Sequence, residues 1–464
     1  MKTILLFLLV AVSLSGKAQT FNVDTLQYSG NPNKRINLVF VADGYTTANL
    51  TQFKNDAVTM SNYLLNSSPY SFYKNYFNVF IINVNSTQAG ASHPGTATDV
   101  TEPVIPVVSI NNYFGSSFDS YSIHRLLVPT NYSGLSNVLA ANTPTYDQVI
   151  VIVNSTEYGG SGGTYATTSI NSSSSEIMVH EMGHSFAGLA DEYWAGPSYA
   201  MEKPNMTATS NTTTVKWSPW VGINSIGVYA HGTTSPQSLW FRPHQNCKMR
   251  YLGVPFCSVC QEAIIEKIHS LTNPIDSFIP ANTGTVTAPL TPLLFKSFLL
   301  KPAPNTLKST WSLNSTTIAS NKDSVSINNA SFNTGNNTVS ITVIDTNTFS
   351  KSATHPSLHT FSVVWTVTKT LNGIINYANI LQLSTFPNPV TDVLSIKYTL
   401  QKESDVEFEI RTAEGKKMAS VKEKNQTTGE HEQKIDLNNL ANGTYFLQCV
   451  IDKKVILNKI LVTK

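Results

Sequence analysis

The stretch from Ser172 to Tyr193, SSSSEIMVHEMGHSFAGLADEY, limits what this chain can become more than any other. Met178, Met182, Phe186 and Leu189 recur at spacings of three and four, which predicts an amphipathic helix with an apolar stripe packed on a core. Ser173 followed three residues later by Glu176 reads as a capping box at its start, and Gly188 as its stop. His180, Glu181 and His184 make H-E-x-x-H inside it. Helix positions i and i+4 lie one above the other, so the two imidazoles can grip one metal ion. Zinc suits such ligands, and an open coordination position brings the pKa of a bound water to about 7. Glu181 can reach that water without being a ligand; it would take the proton as the water attacks a carbonyl and pass it to the leaving amine. Beyond Gly188 the chain can return Asp191 or Glu192 to the metal. The bland reading is a chance string on a helix surface, expected on the order of once per hundred such chains. The chemistry implied is that of a zinc metallopeptidase.

The ends of the chain bear on compartment. Lys2, the apolar run Ile4 to Leu14 and the small residues at Gly16-Lys17-Ala18 read as a secretory signal peptide over residues 1–18, with the mature chain starting near Gln19. No cysteine follows the cleavage site, which argues against a lipoprotein, and no later apolar run is long enough for a transmembrane anchor. The formal net charge of +2, with 13% charged residues and no basic run, points away from nucleic acid. A length of 464 residues is a prior of about three domains. Of the four cysteines, Cys247, Cys257 and Cys260 cluster after the helix and Cys449 stands apart. Export favours a disulfide from Cys247 to Cys257 or Cys260 over a C-x-x-C metal knuckle, for which no fourth ligand is evident.

Along the chain, RINLVFV (residues 35–41), FNVFIINV (77–84) and QVIVIV (148–153) read as buried strands, and Thr46 to Leu65 as a helix between the first two. His93 reads as incidental in a polar loop, and His124 has no partner nearby in sequence. Gly159, Gly160, Gly162 and Gly163 lead into the motif helix; such glycines allow close backbone approach, and a substrate strand could add there at the cleft edge. Trp194, Trp217, Trp220 and Trp240 either wall that cleft or cap a core, and a helix begins near Ser258. From about residue 273 short alternating runs between Asn, Gly, Ser and Pro turns predict an immunoglobulin-like β-sandwich, and from about 381 a second, more charged one. The expected division is 1–18 signal peptide, 19–272 peptidase domain, 273–380 sandwich and 381–464 C-terminal unit.

The motif stretch resembles the IgA-peptidase family of bacterial metallopeptidases, whose signature is H-E-x-x-H, four residues, then L-x-D-E-Y. Here Leu189-Ala190-Asp191-Glu192-Tyr193 completes it without mismatch, and Leu38-Val39-Phe40 with Asp43-Gly44-Tyr45 is similar to the family's opening segment. The resemblance covers roughly residues 30 to 272 and implies an α/β, metzincin-like fold. In that likeness a third ligand follows the helix and a methionine turn lies under the metal, for which Met249 is the candidate. Tyr251 matches a tyrosine that in some metzincins stabilises the oxyanion. The usual metzincin third ligand follows the second histidine by six residues, whereas Asp191 follows His184 by seven. The IgA-peptidase signature shares this longer spacing, and Asp191 is expected as ligand ahead of Glu192, with His244 and His231 more distant choices.

The last 80 or so residues resemble the C-terminal sorting domain of the type IX (Por) secretion system, through Phe386-Pro387-Asn388-Pro389, Leu394-Ser395-Ile396, Asn442-Gly443-Thr444-Tyr445 and the basic end at Lys464. That implies a Bacteroidetes-type Gram-negative source and handling by the type IX machinery, leaving the protein secreted or at the cell surface after crossing the periplasm. The expectation is a monomeric, multidomain chain, an α/β zinc peptidase followed by two β-sandwiches. It would cleave extracellular proteins or glycoproteins such as immunoglobulin A or mucins. The rival is an adhesion or glycan-binding protein on a non-catalytic peptidase scaffold, which would have no use for Glu181.

Overall fold

Two strands whose residues are buried without exception, Ile36–Asp43 (β2) and Gln148–Val153 (β4), lie side by side in parallel at the centre of a sheet. Such runs, apolar on both faces, demand cover on both sides. The computed structural model describes residues 19–351, 355–370, 382–451 and 454–464; the expected signal peptide and the boundary at 380 lie outside them. With Val23–Gln27 (β1), Phe77–Ile82 (β3), Gly160–Gly162 (β5) and Ala166–Thr168 (β6), the sheet has the order β1-β3-β2-β4-β6-β5. Its four inner strands are parallel and its two edges, β1 and β5, antiparallel.

Alternate residues of β2 and β4 enter different cores, as the two-residue strand period requires. Leu38, Phe40, Ile150 and Ile152 join a core with the helices Leu50–Asn66 (α1), Ser174–Ala187 (α3) and Ser258–Leu271 (α4). Val39, Val41, Val149 and Val151 face Leu135, Val138 and Leu139 of the helix Tyr132–Asn142 (α2), with Phe114 and Phe118 from the loops before it. Each such side chain taken fully from water contributes about 1.5–3 kcal/mol. At the C-terminal end of β2, the buried carboxylate of Asp43 accepts from the backbone N–H groups of Gly44, Phe114 and Ser116. Gly44 has φ +69°, and a Cβ there would sit 2.2 Å from the Gly90 carbonyl oxygen. Asp43-Gly44 thus fastens the long loops over one end of the sheet.

A two-residue ribbon, Tyr229–Ala230 (β7) with Phe241–Arg242 (β8), lies in the loops between α3 and α4. Eight strands follow α4: Ile275–Ile279 (β9), Val286–Thr287 (β10), Leu293–Leu299 (β11), Leu307–Leu313 (β12), Thr316–Ser320 (β13), Ser324–Ile327 (β14), Gly335–Asp345 (β15) and Thr360–Lys369 (β16). They form one sheet of order β10-β16-β15-β12-β13 and another of order β14-β11-β9. Trp365 joins the two, stacked on Trp311 at 5.8 Å and edge-on to Phe295 at 5.1 Å. Apart from residues 332–336 and 368–369, this part belongs to the same compact unit as the α/β sheet. Asp345, fully buried at the end of β15, accepts from the Tyr73 and Thr306 hydroxyls and meets His269 Nε2 of α4 at 2.8 Å.

The second compact unit contains Ser384–Phe386 (β17), Val393–Leu400 (β18), Ser404–Arg411 (β19), Lys417–Gln426 (β20), Gly429–Asp436 (β21), Gly443–Ile451 (β22) and Lys454–Val462 (β23). Sheets β17-β18-β21 and β20-β19-β22-β23 share one apolar core, with Ile396 and Tyr398 from the first and Phe408, Leu447 and Cys449 from the second. The molecule is thus an α/β domain followed by several β-sheet domains. Among the described residues no helix is long and apolar enough to cross a membrane.

Candidate metal centre

Helix α3 is built as its stripe demands: Met178, Met182 and Phe186, with Leu189 beyond its end, are buried in the core under the sheet. Its start departs from the expected capping box, since Ser173 makes no side-chain cap. Glu176 turns instead to Lys248, Tyr63 and the Gly253 N–H (2.6 Å), because a charged partner and a free amide outcompete the helix's own terminus. The stop is as expected. Gly188 takes φ +66°, its N–H returns to the His184 carbonyl, and that of Leu189 returns to Gly183. This is a Schellman-type end that reverses the chain toward the face it has just left.

That reversal brings Asp191 Oδ1 to 3.1 Å from His180 Nε2 and 3.3 Å from His184 Nε2. Each imidazole is oriented from behind. His180 Nδ1 meets the Lys248 carbonyl at 2.9 Å and His184 Nδ1 meets that of Leu189 at 2.8 Å. A carbonyl only accepts, so both Nδ1 atoms carry protons, and both Nε2 atoms turn inward onto the carboxylate. Imidazole nitrogens fixed in this way are the outer-sphere arrangement that metal-binding histidines use. Two nitrogens and one oxygen form a donor set suited to zinc, and the residues fit it. Glu192, the other acidic choice, points away into a buried pocket, while neither His231, packed on Trp194, nor His244 joins the group.

The electrostatics follow from the packing. Burial alone would raise the Asp191 carboxyl, but hydrogen bonds from both imidazoles outweigh it and hold the group well below the usual carboxylate range. Burial opposes a charge on His184, yet Asp191 pushes it up to about 9. Glu181 is buried as well, and desolvation raises its carboxyl against the pull of His180 and His184.

The surroundings explain the glycines. A Cβ on Gly162 would lie 2.7 Å from Glu181 Oε2 and 2.7 Å from His184 Cβ; one on Gly160 would meet Ile177 at 2.6 Å. Edge strand β5 therefore packs directly on the motif face of α3. Gly159 abuts Phe118 and the Arg125 carbonyl, whereas Gly163 is open. The Gly160 N–H is already bonded to the Arg125 carbonyl, and Ser161 Oγ to that of Leu127, so part of this edge is occupied from within the chain. Below the centre, Met249 lies against Gly183, where a Cβ would come within 2.5 Å of its sulfur. Tyr251, two residues on, is half exposed, and the Arg250 guanidinium lies over its ring. Trp217 and Trp220 are buried in the core and cap it.

Two residues that carried no expected role border the centre. Tyr193 stacks on His180 with rings 16° from parallel, and Arg125 donates to its hydroxyl at 3.2 Å. Tyr193 closes the L-x-D-E-Y string and was legible there; Arg125 lies in a loop without periodicity. Other expectations change. His93 is not incidental: it meets Glu102 and Asp119 at 3.2 and 3.4 Å, and His124 meets the same two carboxylates at 3.1 Å each. No disulfide joins Cys247 to Cys257 or Cys260. All four cysteines are free, and Cys247 and Cys260 stand 3.7 Å apart because the sulfurs converge on Glu192 rather than on one another.

Residues 25–226 match the family model described as IgA Peptidase M64, and residues 384–463 match that of the Secretion system C-terminal sorting domain. The first match points to a peptidase domain, of a family whose members are metallopeptidases; the second points to a tail for type IX export to the cell surface or beyond. No curated protein matches the chain. Among solved structures, Parabacteroides merdae β-glucuronidase is similar at 10% identity over 49% of this chain and 28% of its own, with a TM-score of 0.15. Fibronectin(III)-like modules of Clostridium thermocellum CbhA are similar at 12% identity over 40% of this chain and 90% of theirs, with a TM-score of 0.16. The chain thus spans little more than a quarter of the glucuronidase, and scores of this size carry nothing about fold or activity.

Proposed function

We propose that this chain is an exported zinc-dependent metalloendopeptidase of metzincin-like fold, cutting extracellular proteins or glycoproteins such as immunoglobulin A or mucins. His180, His184 and Asp191 would hold the zinc, and Glu181 would serve as general base and acid. The observation that carries the reading is the pair of backbone carbonyls, of Lys248 and Leu189, that turn both Nε2 atoms onto one Asp191 oxygen. A zinc ion held there supplies Lewis acidity, polarising the scissile carbonyl and acidifying water. Glu181, wedged against Gly162 and raised by burial, is suited to take a proton from the attacking water and release it to the leaving amine. Met249 supports the ligand helix at Gly183. Tyr251 would steady the oxyanion from the turn that follows, with Arg125 and Tyr193 beside the centre. Gly159, Gly160, Gly162 and Gly163 would form the cleft wall. The domain limits at 18, 272 and 380, the immunoglobulin-like character of the sandwiches and the signal peptide belong to the same reading.

The decisive comparison is the full chain against Glu181→Gln, incubated with immunoglobulin A, mucin and a peptide library. Cleavage by the Gln variant should fall by about 10²–10⁴-fold with zinc content unchanged. Equal cleavage by the two chains would refute the role of Glu181; absence of zinc from both would refute the centre.

A further inference from the structure

We propose that Glu192, Cys247, Cys257 and Cys260 bind a second metal ion, a structural zinc distinct from the one at the histidines. These residues arrive from three places: the turn after α3, the turn that carries Met249, and the first turn of α4. All four side chains are buried, and their donor atoms lie within 4.8 Å of one another. Cys247 Sγ is 3.7 Å from Cys260 Sγ, and Glu192 Oε1 is 3.2 Å from Cys260 Sγ and 3.7 Å from Cys257 Sγ. A tetrahedral zinc with the usual bond lengths sets its sulfur ligands about 3.8 Å apart, and a sulfur and an oxygen about 3.5 Å apart. A disulfide requires about 2.05 Å between one pair and leaves the third thiol beside a buried carboxylate.

Three further observations point to a cation. Glu192 is wholly buried, its Oε2 has no hydrogen-bond partner, and its Oε1 is met by one amide, Asn205 Nδ2 at 3.3 Å, besides the thiols. A carboxylate so placed is costly unless a positive charge compensates it. The Cys257 N–H also donates to Cys247 Sγ at 3.3 Å, an arrangement that favours a thiolate acceptor. Cys257 and Cys260 stand at the start of α4, where the helix dipole favours negative charge. Thiolate ligands select zinc over calcium or magnesium.

The position of the site gives it a purpose, which rests on the peptidase reading although the site does not. Glu192 follows Asp191 directly, and its N–H donates to the Met249 carbonyl at 2.7 Å. Cys247 precedes Lys248, whose carbonyl orients His180. One ion would therefore pin the third ligand, the methionine turn and the His180 tautomer together.

The test is cobalt(II) reconstitution of the full chain and of its His184→Ala variant, with metal counted per chain. The parent should take up about two ions and show the near-ultraviolet thiolate-to-cobalt charge-transfer band; His184→Ala should retain about one ion and the whole band. Cys260→Ser should lose the band. Because the band is read first on the parent, a Ser variant that fails to fold leaves the test intact. A parent without the band, or alkylation and mass analysis showing two of the three clustered cysteines oxidised to a disulfide, overturns the site. A chain that shows the band but cleaves nothing supports this site and counts only against the peptidase reading.

Discussion

Asp191 and Glu192 are neighbours with the same functional group, yet the reversal at Gly188 sends one to the two imidazoles and the other among three sulfurs. Their alanine variants should therefore fail differently. Asp191→Ala should weaken zinc binding at the histidines by more than about 100-fold, beyond the range seen for outer-sphere partners. Glu192→Ala should keep those ligands and instead lower stability by about 1–3 kcal/mol. Competition with a chelator and denaturant unfolding would separate the two, and equal loss of histidine-bound zinc would sink the assignment of Asp191. A second contrast is available at the glycines. Gly162→Ala drives a methyl group into His184 Cβ and the Glu181 carboxylate, so kcat/KM should drop at least tenfold. Gly163→Ala meets nothing within 4 Å, so it should leave Glu181 and His184 undisturbed and lower kcat/KM far less. Indistinguishable variants would mean that β5 does not support the base.

At the scale of elements, what was legible follows from periodicity. The strand over Gln148–Val153 and the helix start at Ser258 are found where the residues put them, because unbroken apolar or 3.6-period patterns leave few alternatives. The capping box failed through tertiary competition, since Lys248 and Gly253, more than seventy residues away, hold Glu176. Helix α2, YSGLSNVLAAN, escaped because its glycine, serines and asparagines read as loop, and the Asn131 cap is weaker evidence than the Leu135, Val138 and Leu139 stripe that packing supplies. Strands β20 and β21 carry alternating charged residues and few apolar ones, so their pairing with β19 and β18 is imposed by their neighbours. Of the centre, His180, His184 and Asp191, which the structure brings together, all lie in one string of the sequence. The carbonyls of Lys248 and Leu189, Arg125, and the Glu192 and His93 clusters were not legible, because backbone acceptors and loop residues leave no period in a sequence.

Across the whole of the first unit, one buried polar node joins the α/β domain to the strands after it. Burial would raise the Asp345 carboxyl, but hydrogen bonds from His269, Thr306 and Tyr73 hold it below the usual carboxylate range. A lowered folded pKa contributes stability that is full above the unfolded value of about 3.9 and is lost as pH falls through the folded one. Asp345→Asn should thus cost about 3 kcal/mol at pH 7, with the gap to the parent narrowing below about pH 4. Denaturant unfolding across that range checks it, and a gap independent of pH would assign the loss to packing alone. The same long reach governs the centre. His180 receives its orientation from a carbonyl 68 residues further on, beyond the 25–226 match that contains the whole H-E-x-x-H string. A nascent or truncated chain ending before Lys248 would carry every residue of the signature without the carbonyl that fixes His180. The donor geometry at His180 is thus a property of the closed domain and not of the motif, complete only once the Lys248 turn has docked on α3.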